Sequence, residues 1–336
     1  MTKFLLVLFC GLMMGSGAIS NQAWAKQGST EQTYAQRLGW PAGSRVLILH
    51  VDDAGMSAAS NEGTIRSIEE GAANSFSVMM PTPWVPQIFA YIKANPDADA
   101  GLHLTLNAEW QLYRWGPLAG KPAVPGLVDE QGAMRHTVEQ VVAHASAEEV
   151  ATEIAAQLDR ALQMGFTPTH LDSHMGTLFA TPEFLQAYIQ LGVRSGLPIM
   201  FPGGHNYYAQ QLYGERSGAE ARATGAAIWD MGLPVLDDLH NLSYGWAREE
   251  KVARYVDAIR GLRPGVTMMI MHSTAPDEDF ALISDSGPSR FGDMEAMLSP
   301  EVAQALAAEQ IVLTTWRELM ARRSGLKGES GTAGQH

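Results

Sequence analysis

The chain of 336 residues contains a single cysteine, Cys10. It lies inside an N-terminal segment that reads as removable, so the working protein has no disulfide framework and no thiolate chemistry. Any metal must then be held by histidine and carboxylate. Positive charge is scarce as well: 23 Lys and Arg stand against 36 Asp and Glu, a formal net charge of −13. Such an excess repels phosphate backbones and anionic lipid, which argues against nucleic acid as a partner and favours a neutral or cationic small substrate. Beyond the first 25 residues no apolar run is long enough to cross a bilayer, so no stable membrane insertion is expected. No repeat of fixed period occurs, and no G-x-G-x-x-G turn follows the first apolar strand, which weakens a dinucleotide reading. What is plentiful is apolar: 46% of the residues, against 18% charged, enough for a large core.

The ends read differently from the middle. Lys3, the apolar "FLLVLFCGLMMG" and small residues in "AWA" form a secretory signal peptide over 1–25, cleaved after Ala25. A periplasmic or secreted location follows. Phe9 is too bulky for lipoprotein processing at Cys10. The segment 324–336, "SGLKGESGTAGQH", is small and polar and reads as a disordered tail. Residues 26–323 form one domain.

Within it, strand and helix patterns alternate. "RVLILHV", "SFSVMM", "AGLHLTL", "PTHLD", "LPIMF", "GVTMMIMH" and "IVLTT" read as strands, and amphipathic segments lie between them. The clearest helix starts at Ser146, with Glu149 three residues on as a capping box. Alternation of this kind implies parallel strands and crossover helices. About seven such units suit an α/β fold of the (β/α)-barrel type, distorted or incomplete, with a doubly wound open sheet as the alternative.

Active sites of such folds lie at the carboxyl ends of strands. The first strand ends in Asp52 and Asp53, the third carries His103, the fourth His170, Asp172 and His174, and a late one ends in His272. Two adjacent carboxylates repel and resist burial, so something must offset them. Consecutive strand residues point to opposite faces. Asp52 and Asp53 therefore converge only if the strand breaks, and Gly55 permits a turn there. Two histidines with one carboxylate form a common open site for Zn²⁺ or another divalent cation.

"HVDDAGMS", "GLHLTL" and "THLDSHMG", in that order, resemble the YdjC-like carbohydrate deacetylases, which include chitooligosaccharide deacetylases. The resemblance runs from about Arg45 to "TTWREL". It implies a distorted, polysaccharide-deacetylase-like barrel that removes acetyl groups from N-acetylated sugars or oligosaccharides with one divalent metal ion, Zn²⁺ or Mg²⁺. Asp53, His103 and His174 are then the metal ligands, Asp52 the general base and His272 the acid. Asp172 is suited to orienting a ligand histidine, or to a turn. The chain departs from its relatives after "DSH", where Met175 and Gly176 stand in place of a further histidine.

Trp110, Tyr113 and Trp115, with Trp84, form either an aromatic platform for sugar rings or pins for a long loop. "PVLDDLHN" offers Asp237, Asp238 and His240 as rim residues that contact sugar hydroxyls or cap a helix. His136 and His144 read as solvent-facing. Two other readings stay open: an exported glycoside hydrolase pairing Asp52 with a late acid such as Asp277, and a binding module for metal or sugar without catalysis. The sequence leaves sugar identity, amide or ester bond, and oligomeric state open.

Overall fold

The first apolar run becomes β1, Arg45–Ala54, buried throughout except at Arg45. In the computed structural model, which describes residues 32–213 and 215–332, β1 is the central stave. Parallel partners flank it: β2 (Ser75–Val78) on one side and β6 (Gly265–Met271) on the other. β3 (Ala100–Leu104) and β4 (Leu171–Ser173) continue beyond β2, and β5 (Asp238–His240) lies outside β6. A short β7 (Val312–Leu313) pairs with the start of β1 below β2. Asn74 fills that junction, accepting from the Leu49 N–H and donating to the Thr314 carbonyl.

The predicted strand "LPIMF" is not a ladder. It contributes isolated bridges, Leu171 to Ile199 and Pro202 to Leu236. These link the β4 edge to the β5 edge, and the sheet closes as a distorted (β/α) barrel of parallel strands. β5 itself falls within "PVLDDLHN", which carried no strand signal.

Helices cover the outside, and their caps follow the sequence. Ser57 caps Ala58–Glu69, and the Ser146–Glu149 capping box opens Ala147–Gln163. The latter helix also fastens the long stretch after β3. Glu153 accepts from the Leu118 and Ala119 N–H groups, and Gln157 bonds both backbone groups of Thr105. A second apolar cluster of Met56, Ala59, Met79, Ala108, Trp115, Met134 and Phe280 packs that loop over the strand ends. The last helix, Trp316–Thr332, runs through most of the segment expected to be a disordered tail. The expected signal peptide lies outside the described residues. Among the described residues no helix is long and apolar enough to cross a membrane.

One feature departs from an ordinary barrel, whose interior is filled by branched apolar layers. Here the inward face carries His50 and Asp52 from β1, Ser75 and Ser77 from β2, His103 from β3, and His170 and Asp172 beside and on β4, all buried.

Candidate metal centre at the strand ends

The two adjacent carboxylates converge because the strand breaks at Asp53 itself. Its φ is +66°, in the left-handed region, and the β1–β2 register shifts between Val51 and Ala54. The break therefore begins two residues before Gly55, the position expected to allow it. Gly55 (φ +89°) continues the turn. A side chain there would meet Val85 at 3.0 Å. A left-handed non-glycine residue stores roughly 1–3 kcal/mol and is held where surrounding contacts dictate it.

Those contacts are specific. Asp53 Oδ1 lies 3.3 Å from His103 Nε2 and 3.4 Å from His174 Nδ1. Asp53 Oδ2 pairs with Arg290 Nη1 at 2.6 Å. The far nitrogen of each histidine meets another carboxylate: His103 Nδ1 donates to Asp172 at 2.7 Å, and His174 Nε2 lies 3.0 Å from Glu109. Histidines backed by carboxylates in this way present a fixed, electron-rich nitrogen to a cation. His174 is followed at once by a left-handed pair, Met175 (φ 51°) and Gly176 (φ 66°).

The three residues fit a divalent ion. All are buried, their ligand atoms lie within 4.8 Å of one another, and Asp53 Oδ1 has no hydrogen-bond partner among the described residues. A tetrahedral cation with bonds of about 2.0–2.1 Å separates its ligands by about 3.3–3.4 Å, the spacing seen around Asp53 Oδ1. The neighbouring carboxylates raise the proton affinity of both histidines. Burial opposes the charge, but Glu109 and Asp53 hold the His174 imidazole up at about 9. Burial likewise opposes, and Asp52 and Asp172 overcome, so that His103 stays well above its usual range. Burial pushes Asp53 up, yet Arg290, His103 and His174 hold it well below the carboxylate range. A cation must displace the histidine protons, which couples its binding to pH.

Asp52 stands beside this group. Its Oδ2 is 3.8 Å from His103 Nε2 and 3.9 Å from His272 Nε2, and its Oδ1 is 3.2 Å from His50 Nε2. His272 is presented by the end of β6, where its N–H donates to Asp293, a carboxylate also bound by Lys251 and Tyr255. Burial lowers the His272 pKa, Asp53 counteracts, and Arg290 lowers it further. The imidazole is thus biased towards its neutral form.

The aromatic residues divide. Trp115 is buried in the loop core, its ring 6.5 Å from that of His174. Trp110 and Tyr113 pack on it at 5.6 and 5.7 Å, half-buried, and the Tyr113 hydroxyl donates to the Met56 carbonyl. Trp84 stays 44% exposed beside the Gly55 turn, its N–H bonded to that carbonyl. His240 is not on the rim. The ladder sets it level with Met269 and hence with Leu49 of β1, three residues below Asp52. There it packs between Tyr208 and Trp246. Asp237 and Asp238 bind backbone N–H groups. His136 is held by Arg114 and His144 by its own helix. Asp277 caps the turn at Asp279. His170 stacks on Trp316.

Four participants went unread in the sequence: His50, Glu109, Arg290 and Asp293. His50 had a signal, since it sits two residues before Asp52 and shares its strand face. Arg290 and Asp293, on the helix Gly287–Leu298, carry no local pattern that points to residue 53 or 272.

Fold and site together define a parallel (β/α)-barrel protein with a two-histidine, one-carboxylate centre at its strand ends. The YdjC-like protein family model matches residues 46–308, and the chain belongs to that family. A carbohydrate deacetylase of Thermus thermophilus is 31% identical over 84% of this chain and 96% of its own length. Another, from Thermoanaerobacter pseudethanolicus, is 23% identical over 81% and 98%. Among solved structures, a proposed cellobiose-phosphate cleavage protein from Enterococcus faecalis shares the fold. Its TM-score is 0.69 at 22% identity, over 82% of this chain and 99% of that one.

Proposed function

We propose that the protein is a metal-dependent carbohydrate deacetylase that hydrolyses the acetyl amide of N-acetylated sugars or oligosaccharides. The observation that carries this reading is the trio of Asp53 Oδ1, His103 Nε2 and His174 Nδ1 with the carboxylate of Asp52 alongside. Kinship with proteins named carbohydrate deacetylases supplies the substrate class. Asp53, His103 and His174 would hold one divalent ion, and two nitrogens with one carboxylate favour zinc over magnesium. Such an ion polarises a carbonyl and lowers the pKa of its water. Asp52 Oδ2 is the acceptor for the water's proton. His272 Nε2, 3.9 Å from that oxygen, is the site from which the proton returns to the leaving nitrogen. Because His272 is biased towards neutral, it acts as acid only after receiving a proton, and Asp52 is the neighbouring source. Arg290 neutralises the outer oxygen of Asp53 and keeps that carboxylate turned towards the histidines. Trp84, Trp110 and Tyr113 are the aromatic faces available to a sugar ring.

The test is acetate release from a panel of N-acetylated oligosaccharides by metal-stripped protein, with single metals restored. Release that requires metal and vanishes in Asp52→Asn supports the reading; release that survives metal removal overturns it. The N-terminal pattern leads us to propose export as well. N-terminal sequencing of protein recovered outside the cytoplasm should begin at Lys26.

A further inference from the structure

Below the proposed cation lies a buried polar layer to which the chemistry above assigns no role. Its centre is His50, fully buried on the inward face of β1. His50 Nδ1 lies 2.9 Å from Ser75 Oγ, and that hydroxyl donates onward to the Asp99 carbonyl. His50 Nε2 lies 3.1 Å from Ser77 Oγ, 3.2 Å from Asp52 Oδ1 and 3.0 Å from Asp172 Oδ2. Neither carboxylate oxygen has a hydrogen bond among the described residues, and the nearest imidazole nitrogen to both is His50 Nε2. The opposite oxygens face the site: Asp172 Oδ1 holds His103, and Asp52 Oδ2 lies near His103 and His272.

We propose that His50 is a positioning residue: its Nε2 edge, 3.2 Å from Asp52 Oδ1 and 3.0 Å from Asp172 Oδ2, holds the two carboxylates side by side and so aims the proton acceptor and the ligand histidine at one point. The inference rests on the deacetylase reading of the site above it. Two carboxylates this deeply buried repel unless a shared donor lies between them. Burial opposes a charge on the ring, but Asp172 and Asp52 hold the imidazole up at about 9, so the proton is present at neutral pH. A second cation gathered by His50, His170, Asp52 and Asp172 is the rival arrangement. His170 Nε2, buried without a hydrogen bond among the described residues, lies 3.9 Å from Asp172 Oδ2, so the zinc stoichiometry decides between the two.

Two variants separate positioning from mere space-filling. His50→Gln keeps an amide donor near the place of Nε2, whereas His50→Leu keeps bulk without a donor. With zinc restored, His50→Leu should lower kcat for acetate release about 100-fold, in the range of a misplaced proton acceptor, with KM within about twofold. His50→Gln should stay within about tenfold of the parent, because the donor is retained. Zinc affinity should fall about tenfold in the leucine variant alone, through the freed Asp172. Equal kcat in the two variants, or losses that simply follow Tm, would overturn the proposal. So would two equivalents of zinc per chain falling to one in both variants, which would make His50 a ligand. If the parent releases no acetate, the deacetylase reading fails separately and the zinc titration decides alone: weakening only in His50→Leu upholds the tie, equal affinities overturn it. Should His50→Leu not fold, His50→Asn replaces it. Its donor is one methylene too short to reach both carboxylates, so kcat below that of His50→Gln supports the tie and equality overturns it.

Discussion

The chain contains two adjacent aspartate pairs at strand ends, in "VDDAG" and "LDDLH", and they do opposite things. Asp238 opens β5 and Asp237 immediately precedes it. The ladder places Asp238 level with Thr267 and so with Leu47, five residues below Asp52, or about 17 Å of strand. Asp237 accepts from the N–H groups of Tyr34, Ala35 and Val266, and Asp238 from those of Tyr208 and Leu239. Burial raises both to about 6 despite those bonds. Asp52 and Asp53 sit at the end of β1, bend the backbone into a left-handed residue, and face histidines and an arginine instead of backbone. Each keeps an Oδ1 without a hydrogen bond among the described residues, that of Asp52 lying against His50 Nε2 at 3.2 Å as an ion pair. Burial alone therefore does not mark a functional carboxylate. The partners do: backbone N–H groups consume Asp237 and most of Asp238, which has one histidine, His205, at 3.5 Å, whereas Asp52 and Asp53 face several side chains that can exchange a proton or accept a cation.

The largest expected effect breaks the two pairs apart. Asp52→Asn should lower kcat for acetate release by about 10²–10⁴-fold, the usual weight of a general base. Its Tm should stay near that of the parent. Asp237→Asn should do the reverse. Its amide nitrogen would face backbone N–H donors, leaving a buried donor unsatisfied at about 1–3 kcal/mol. A lower denaturation midpoint with kcat retained would show it. Equal kcat losses in the two variants would end the distinction.

A smaller effect sharpens the role of the carboxylates behind the ligand histidines. Glu109→Gln removes the charge behind His174 Nε2 but leaves Asp53 and His103 untouched. Zinc affinity by competition titration should fall about 10–100-fold, as is usual when such a partner is lost. An unchanged affinity would mean that Glu109 only closes the loop over the site.

Much of this difference was legible in the sequence, for identifiable reasons. The strand-end positions of Asp52, Asp53, His103, His174 and His272 follow from alternation of strand and helix, because parallel barrels put loops and chemistry at one rim. His240 lies deeper than its place in the sequence suggests because a sequence carries no register: nothing in "PVLDDLHN" says that β5 pairs low on β6. The break at Asp53 was sought at Gly55 because glycine is the default left-handed residue, whereas aspartate also tolerates that region when neighbours demand it. Arg290 approaches Asp53 from 237 positions away along the chain, a contact that exists only after closure of the barrel.

The smallest effect is a slope of stability with pH, and it separates the pairs without a mutation at either base. In the metal-free protein His50 and His174 are raised from 6.5 to about 9, and His103 is raised too. A raised folded pKa means that the native state binds more protons than the unfolded one between the two values. The stabilisation is therefore complete below about pH 6.5 and is lost as pH climbs through about 9. The aspartates at 237 and 238, raised to about 6, finish titrating near the low edge of this window and add little slope above about pH 7.5. Histidines 170, 205 and 240, lowered to about 4 by burial, oppose the decline near pH 6.5, so metal-free protein should lose Tm from about pH 7.5 to 9. Zinc should flatten that decline, since His103 and His174 then hold a cation in place of a proton. His174→Ala should reduce the slope in metal-free protein, and Asp237→Asn should lower Tm by the same amount at every pH from about 7.5 to 9. A slope that persists unchanged with zinc bound would place the titrating histidines outside the centre built around Asp53.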